Sequence, residues 1–175
     1  MRIESFFDPA TSTFTHVLWD PATWRAAIVD SVLDYDPKSG RTRTDSADRV
    51  IARVRELELS VDWLLETHVH ADHLSAAPYL KQRVGGQIVI GRAVTVVQHT
   101  FGKLFNAGDE FARDGRQFDR LVDEGDQFDI GALRVSVLHT PGHTPACVTY
   151  VVENPALSPR QRVTFVGDTL FMPDY

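Results

Sequence analysis

Four candidate metal ligands fall within six residues, at His68, His70, Asp72 and His73 of the run Thr67-His68-Val69-His70-Ala71-Asp72-His73, directly after the short apolar run Val61-Asp62-Trp63-Leu64-Leu65. A chain carrying this pattern must end a buried strand where several polar side chains can converge. Residues i and i+2 of an extended strand share a face, so His68 and His70 can address one ion. As the chain turns into the following helix, Asp72 and His73 leave that register and aim at a second point beside the first. Imidazole and carboxylate donors without thiolate suit zinc, iron(II) or manganese. The single cysteine, Cys147, excludes both a thiolate-cluster site and an intrachain disulfide.

Two later segments offer to complete the site. His139-Thr140-Pro141-Gly142-His143-Thr144-Pro145 is a strand end followed by a Pro-Gly turn, from which His143 can project over a sheet edge, whereas His139 reads as structural. Gly167-Asp168-Thr169 places a carboxylate at the end of the apolar strand 163–166. All three segments follow strands, where rigid elements present side chains from short loops. His16 and His99 read as ordinary surface or core histidines, Cys147 as a small buried hydrophobe, and Trp19, Trp24 and Trp63 as core.

The remaining pattern is that of one layered α/β domain spanning residues 1–175. Strands are expected at 13–20 and 25–32 as an opening hairpin, then at 61–65, 87–90, 133–138, 147–152 and 163–166. Apolar positions Ala47, Val50, Ile51, Val54 and Leu57 mark an amphipathic helix from Asp45 to Glu58 capped by Asp45 or Ser46, with further helices expected at 74–83 and 93–105. Residues 34–43 and the acidic stretch 109–129 read as loops. With 18 Lys plus Arg against 24 Asp plus Glu and a net charge of −6, scattered basic residues argue against nucleic acid as a partner. No apolar run approaches the roughly 18 residues that span a bilayer, and residues 1–16 lack a leader pattern, so a cytoplasmic location is expected. Small molecules or proteins are left as partners, and a homo-oligomer is compatible with the sequence.

The motif order, with Asp30 after an apolar strand, then THVHADH, HTPGHT and GDTLF, resembles the metallo-β-lactamase superfamily. Within it the wording is most similar to the branch of persulfide dioxygenases and glyoxalase II-like thioesterases. The resemblance implies an αββα sandwich, here lacking its C-terminal part, with a natural domain that continues beyond Tyr175. A persulfide dioxygenase would hold one Fe(II) per chain through His68, His143 and Asp168. His70, Asp72 and His73 would orient those ligands and water, with Asp72 as the catalytic side chain. Its reaction converts glutathione persulfide, a small-molecule thiol derivative, with dioxygen and water to glutathione and sulfite. In the glyoxalase II-like alternative two Zn(II) ions hydrolyse a thioester, one held by His68, His70 and His143, the other by Asp72 and His73, with Asp168 bridging. That branch needs a further histidine beyond Asp168, for which the sequence offers no residue. A non-catalytic metal-binding domain is the third reading.

Overall fold

The computed structural model describes residues 1–157, 159 and 161–171; the expected domain end at Tyr175 lies outside them. The chain opens with three antiparallel strands, β1 (Arg2–Asp8), β2 (Thr13–Trp19) and β3 (Arg25–Val29). The expected hairpin is the β2–β3 pair. Its turn is held by Asp20, whose carboxylate accepts from Ala22 N–H and the Thr23 hydroxyl. β1 escaped the sequence reading because its burial alternates only weakly along Arg2-Ile3-Glu4-Ser5-Phe6-Phe7.

Three parallel strands extend this sheet: β6 (Ser60–Leu65), β8 (Gln87–Gly91) and β9 (Arg120–Val122), giving the order β1-β2-β3-β6-β8-β9. The intervening helices are α1 (Asp45–Glu56), α2 (Ala77–Val84) and α3 (Val94–Leu104). Alternation sorts the sheet's two faces. Val17, Ala26, Ile28 and Ile88 pack with Val50, Ile51 and Val54 of α1 and Leu80 of α2. Leu18, Ala27, Val29 and Val89 point the other way. There they meet Val135, Val137, Val148, Tyr150 and Val152 of a second, antiparallel sheet. It comprises β10 (Gln127–Ile130), β11 (Leu133–His139), β12 (Val148–Asn154) and β13 (Gln161–Phe165). Val94 and Val97 seat α3 against Ile90 and Ala146. The described residues therefore build the α, β and β layers of the expected sandwich.

Several sequence expectations need correction. Residues 34–43 are not a loop but part of a small sheet, β4 (Val32–Asp36) with β5 (Arg41–Arg43), whose largely solvated residues carry no alternation signal. Leu74–Ser75 is not helical; it forms β7 on the other edge of β4, and Pro78 lies in the first turn of α2. α1 is not capped by its own Asp45 or Ser46. Asp34, distant in sequence, accepts from both Ser46 N–H and the Ser46 hydroxyl. The acidic stretch contains β9 and the start of β10, too short and too charged for periodicity to reveal. Trp19 is buried, but Trp24 is half exposed at a left-handed φ of 59°. Trp63 is only partly buried, its indole donating to the Asp129 carbonyl and its ring 4.9 Å from Phe128.

Candidate metal centre

The polar ends of β3, β6, β11 and β13 meet at one edge of the two sheets, and backbone bonds fix that meeting. Asp30 N–H donates to Leu65 O at 2.9 Å, and Val148 N–H donates to Thr67 O at 2.9 Å, which ties the end of β6 to β12 across the sandwich. Asp30 adopts φ 48°, a left-handed conformation that Asp tolerates better than most residues. Its buried carboxylate accepts from Thr67 N–H and the Thr67 hydroxyl, both at 2.8 Å.

That arrangement sets the state of His68. The Thr67 hydroxyl has one proton and gives it to Asp30, so at 3.0 Å it must accept from His68 Nδ1. His68 Nε2 is left with a lone pair, buried and without a hydrogen-bond partner among the described residues. Burial, reinforced by the charge of His70, lowers the His68 pKa to about 4, so the ring is neutral at pH 7.

His143 comes from the β11–β12 loop and Asp168 from a 3-10 turn, Gly167–Thr169, after β13. Thr169 binds these loops together, donating to Thr140 O at 3.3 Å and lying 3.2 Å from the Thr140 hydroxyl. His139 has the expected structural role, donating from Nε2 to Pro145 O at 2.9 Å and so closing the His143 loop. Within that loop Thr144 N–H and its hydroxyl contact Cys147 Sγ, which is buried.

Asp168 Oδ2 lies 3.9 Å from His68 Nε2 and 3.6 Å from His143 Nε2. Two donors each about 2.1 Å from one ion sit roughly 3 to 4 Å apart, so this spacing fits a bound metal better than it fits direct hydrogen bonds. His70, Asp72 and His73 form a second group, with one donor atom of each within 4.8 Å of the others. His73 Nδ1 is 3.2 Å from Asp72 Oδ2, which also accepts from the Thr13 hydroxyl at 2.9 Å; His73 Nε2 is buried without a partner among the described residues. A buried nitrogen without a partner costs about 1–3 kcal/mol. Both orphaned nitrogens, His68 Nε2 and His73 Nε2, belong to the expected ligand set, and cation binding there would remove that cost. The residues present thus suit one metal ion, with donors for a second beside it.

Within the second group His70 stands between His68 and His73, its ring centroid 4.2 Å from that of His68 and 4.1 Å from that of His73. Burial alone would lower its pKa, but the adjoining Asp30 and Glu66 carboxylates reverse this and push it up to about 11. Asp30, although buried, is held below the usual carboxylate range by His70 and Thr67. Sequence reasoning missed Glu66 and Thr67, and also Thr13. The available signal was a carboxylate following a buried strand without a turn residue between them.

Two cavities adjoin the cluster. One of about 640 Å³ runs from Asp168 and Asp72 along Thr13, Phe14, His16 and Phe165. The other, about 310 Å³, is lined by Glu66, His68, His73, Leu74 and Phe118. His70 lines both. His16, expected to be unremarkable, contacts Ser5 and lies between Phe14 and Phe165, whereas His99 only donates to the Thr95 carbonyl of its own helix.

The sequence model of the metallo-beta-lactamase superfamily matches residues 15–174. The chain belongs to that superfamily. A probable metallo-hydrolase of Burkholderia pseudomallei is 66% identical over the whole chain, which covers 60% of that protein. Glyoxylase B2 of Dictyostelium discoideum is 45% identical over 99% of the chain and 57% of its own length. The human mitochondrial persulfide dioxygenase ETHE1 is 27% identical over 97% of the chain and 53% of its length. Among solved structures, ETHE1 from Myxococcus xanthus is 29% identical and superposes with a TM-score of 0.64, covering 87% of this chain and 54% of that one. The chain thus spans little more than half the length of these relatives. Among the described residues no helix is long and apolar enough to cross a membrane.

Proposed function

We propose that the chain carries the metal centre of an enzyme acting on small-molecule thiol derivatives, and that its reaction is oxygen-dependent oxidation of a persulfide such as glutathione persulfide. One observation carries this reading. His68, His143 and Asp168 form a self-contained group of two imidazoles and one carboxylate, the donor set that suits iron(II) and leaves coordination positions open. Similarity to the persulfide dioxygenase ETHE1 supports the branch.

Iron(II) held there would supply one-electron chemistry toward dioxygen and a site for persulfide sulfur. The chain's own residues prepare that chemistry. Burial keeps His68 neutral, the Thr67 hydroxyl, donating to Asp30, holds the His68 proton on Nδ1 and leaves the Nε2 lone pair free, and the Thr140–Thr169 link keeps His143 and Asp168 in register. Asp72, anchored by Thr13 beside the larger cavity, is placed to orient water or a substrate hydrogen, the catalytic role assigned to it here. Phe14 and Phe165 give the larger cavity an apolar wall beside the cluster.

A second reading, dinuclear zinc hydrolysis of a thioester, draws support from the His70, Asp72 and His73 group and from the similarity to glyoxylase B2. Oxygen uptake separates the two. The iron-loaded protein should consume dioxygen with glutathione persulfide and form sulfite, with little hydrolysis of a glutathione thioester. Thioester hydrolysis by a two-zinc form, with no oxygen uptake from the iron form, would replace the first reading by the second.

A further inference from the structure

Glu66 is a charged side chain with only 3% of its surface exposed, and the reading above gives it no part. Its backbone is pinned on both sides: its N–H donates to Val89 O at 2.9 Å, and its carbonyl accepts from the buried Tyr150 hydroxyl at 3.0 Å. The carboxylate is then divided between two neighbours. Oε1 accepts from the Ser75 hydroxyl at 2.6 Å, and Oε2 lies 3.1 Å from His70 Nε2. Asp30 Oδ1 also lies 3.1 Å from that nitrogen, but the same oxygen already accepts Thr67 N–H. Among the described residues Glu66 Oε2 has no other donor, which makes it the acceptor dedicated to His70.

We infer that Glu66 is a positioning residue of the metal centre: the Ser75–Glu66 pair holds His70 with its proton on Nε2, so that Nδ1 is the nitrogen offered to the Asp72 and His73 side. The inference rests on the metal-dependent reading. Ionised carboxylates only accept hydrogen bonds, so a nitrogen facing two of them must be a donor. A cation on the Asp72 and His73 side would displace the proton on Nδ1, which makes no hydrogen bond to any described residue, while the two carboxylates retain the one on Nε2. A carboxylate behind a ligating imidazole fixes both its tautomer and its orientation.

Glu66→Gln tests this because Ser75 dictates which way the amide points. The Ser75 hydroxyl already accepts Ala77 N–H at 3.1 Å and needs an acceptor for its own proton. The glutamine carbonyl therefore faces Ser75 and its NH2 faces His70 Nε2, donor against donor. The experiment is performed on the full chain with zinc as the probe, reading affinity by chelator competition and the His70 tautomer by nitrogen-15 histidine NMR of the zinc-loaded protein. In wild type the His70 proton should be on Nε2. Glu66→Gln should shift or remove that signal and weaken zinc binding roughly 10- to 100-fold, the usual effect of losing such a partner.

In a His70→Ala background the same substitution should have no further effect on zinc, whereas a generic folding role would persist there. Ser75→Ala, which leaves the carboxylate in place but unanchored, should change both readouts in the same direction by a smaller factor, and it decides the matter if Glu66→Gln fails to fold. In zinc-loaded wild type, a His70 ring protonated on Nδ1 rather than on Nε2 overturns the inference. So does zinc affinity within twofold of wild type in Glu66→Gln, or in Ser75→Ala where that variant decides. Wild type that binds no zinc would instead remove the metal-dependent reading, and this inference with it.

Discussion

A Cβ placed on Gly167 would lie 2.3 Å from the Thr67 hydroxyl oxygen and 3.3 Å from His68 Nδ1. The residue before the Asp168 carboxylate thus packs directly on the hydroxyl that sets the His68 tautomer. Gly167 also has φ 51°, where an L side chain is strained. Gly167→Ala combines both penalties, so a loss of about 2–4 kcal/mol in urea unfolding and a clear fall in metal content are expected. Wild-type stability together with wild-type metal content would mean that the turn can move without disturbing His68.

Thr67→Val keeps the shape of the side chain and removes its hydroxyl. Asp30 Oδ2 and His68 Nδ1 would then both lose their partner inside the protein. A destabilisation of about 2–4 kcal/mol is expected from two buried unsatisfied groups, and Thr67→Ser should recover most of it. Equal stabilities for the valine and serine variants, measured by chemical denaturation, would contradict the relay.

Substitutions within the ligand groups should sort by position. His68→Ala and Asp168→Ala each remove a proposed ligand and should abolish activity and metal binding at that group. His70→Ala should leave iron bound at His68, His143 and Asp168 while reducing turnover roughly 10- to 100-fold. Metal analysis of the three variants checks this, and complete loss of iron from His70→Ala would make His70 an obligatory iron ligand.

The metal-free protein should lose stability on mild acidification. The His68 pKa falls from 6.5 unfolded to about 4 folded, so between those values the unfolded chain takes up a proton that the folded one refuses. Stability present above pH 6.5 is therefore lost as pH falls toward 4, by up to about 3 kcal/mol. His70 runs the other way: with a folded value of about 11, its contribution is complete below pH 6.5 and disappears as pH rises through 11. Denaturation of chelator-treated protein at pH 7, 5.5 and 4.5 measures the first effect. His68→Gln should flatten the acid slope, and an unchanged slope would assign it to other groups.

Much of the centre could be read before the fold was known, because its donors sit in dense local patterns. His68, His70, Asp72 and His73 announce themselves by spacing, and His143 and Asp168 by their turns. What escaped notice depends on pairings that only the folded chain makes. Asp34 caps α1 from another strand, Thr13 reaches Asp72 from the opening hairpin, and Glu66 becomes a partner of His70 only once the chain after β6 turns back on itself. The layered fold was legible where strands were buried on both faces, as at Val89 and Val137. β1, β4 and β5 were missed because solvent covers much of their surface and leaves no strong alternation.

Elemental analysis of freshly purified, iron-reconstituted protein tests the central claim most directly. The account predicts about one iron per chain, lost in His68→Ala and in Asp168→Ala. Two zinc per chain, or a metal content unaffected by either substitution, would contradict it.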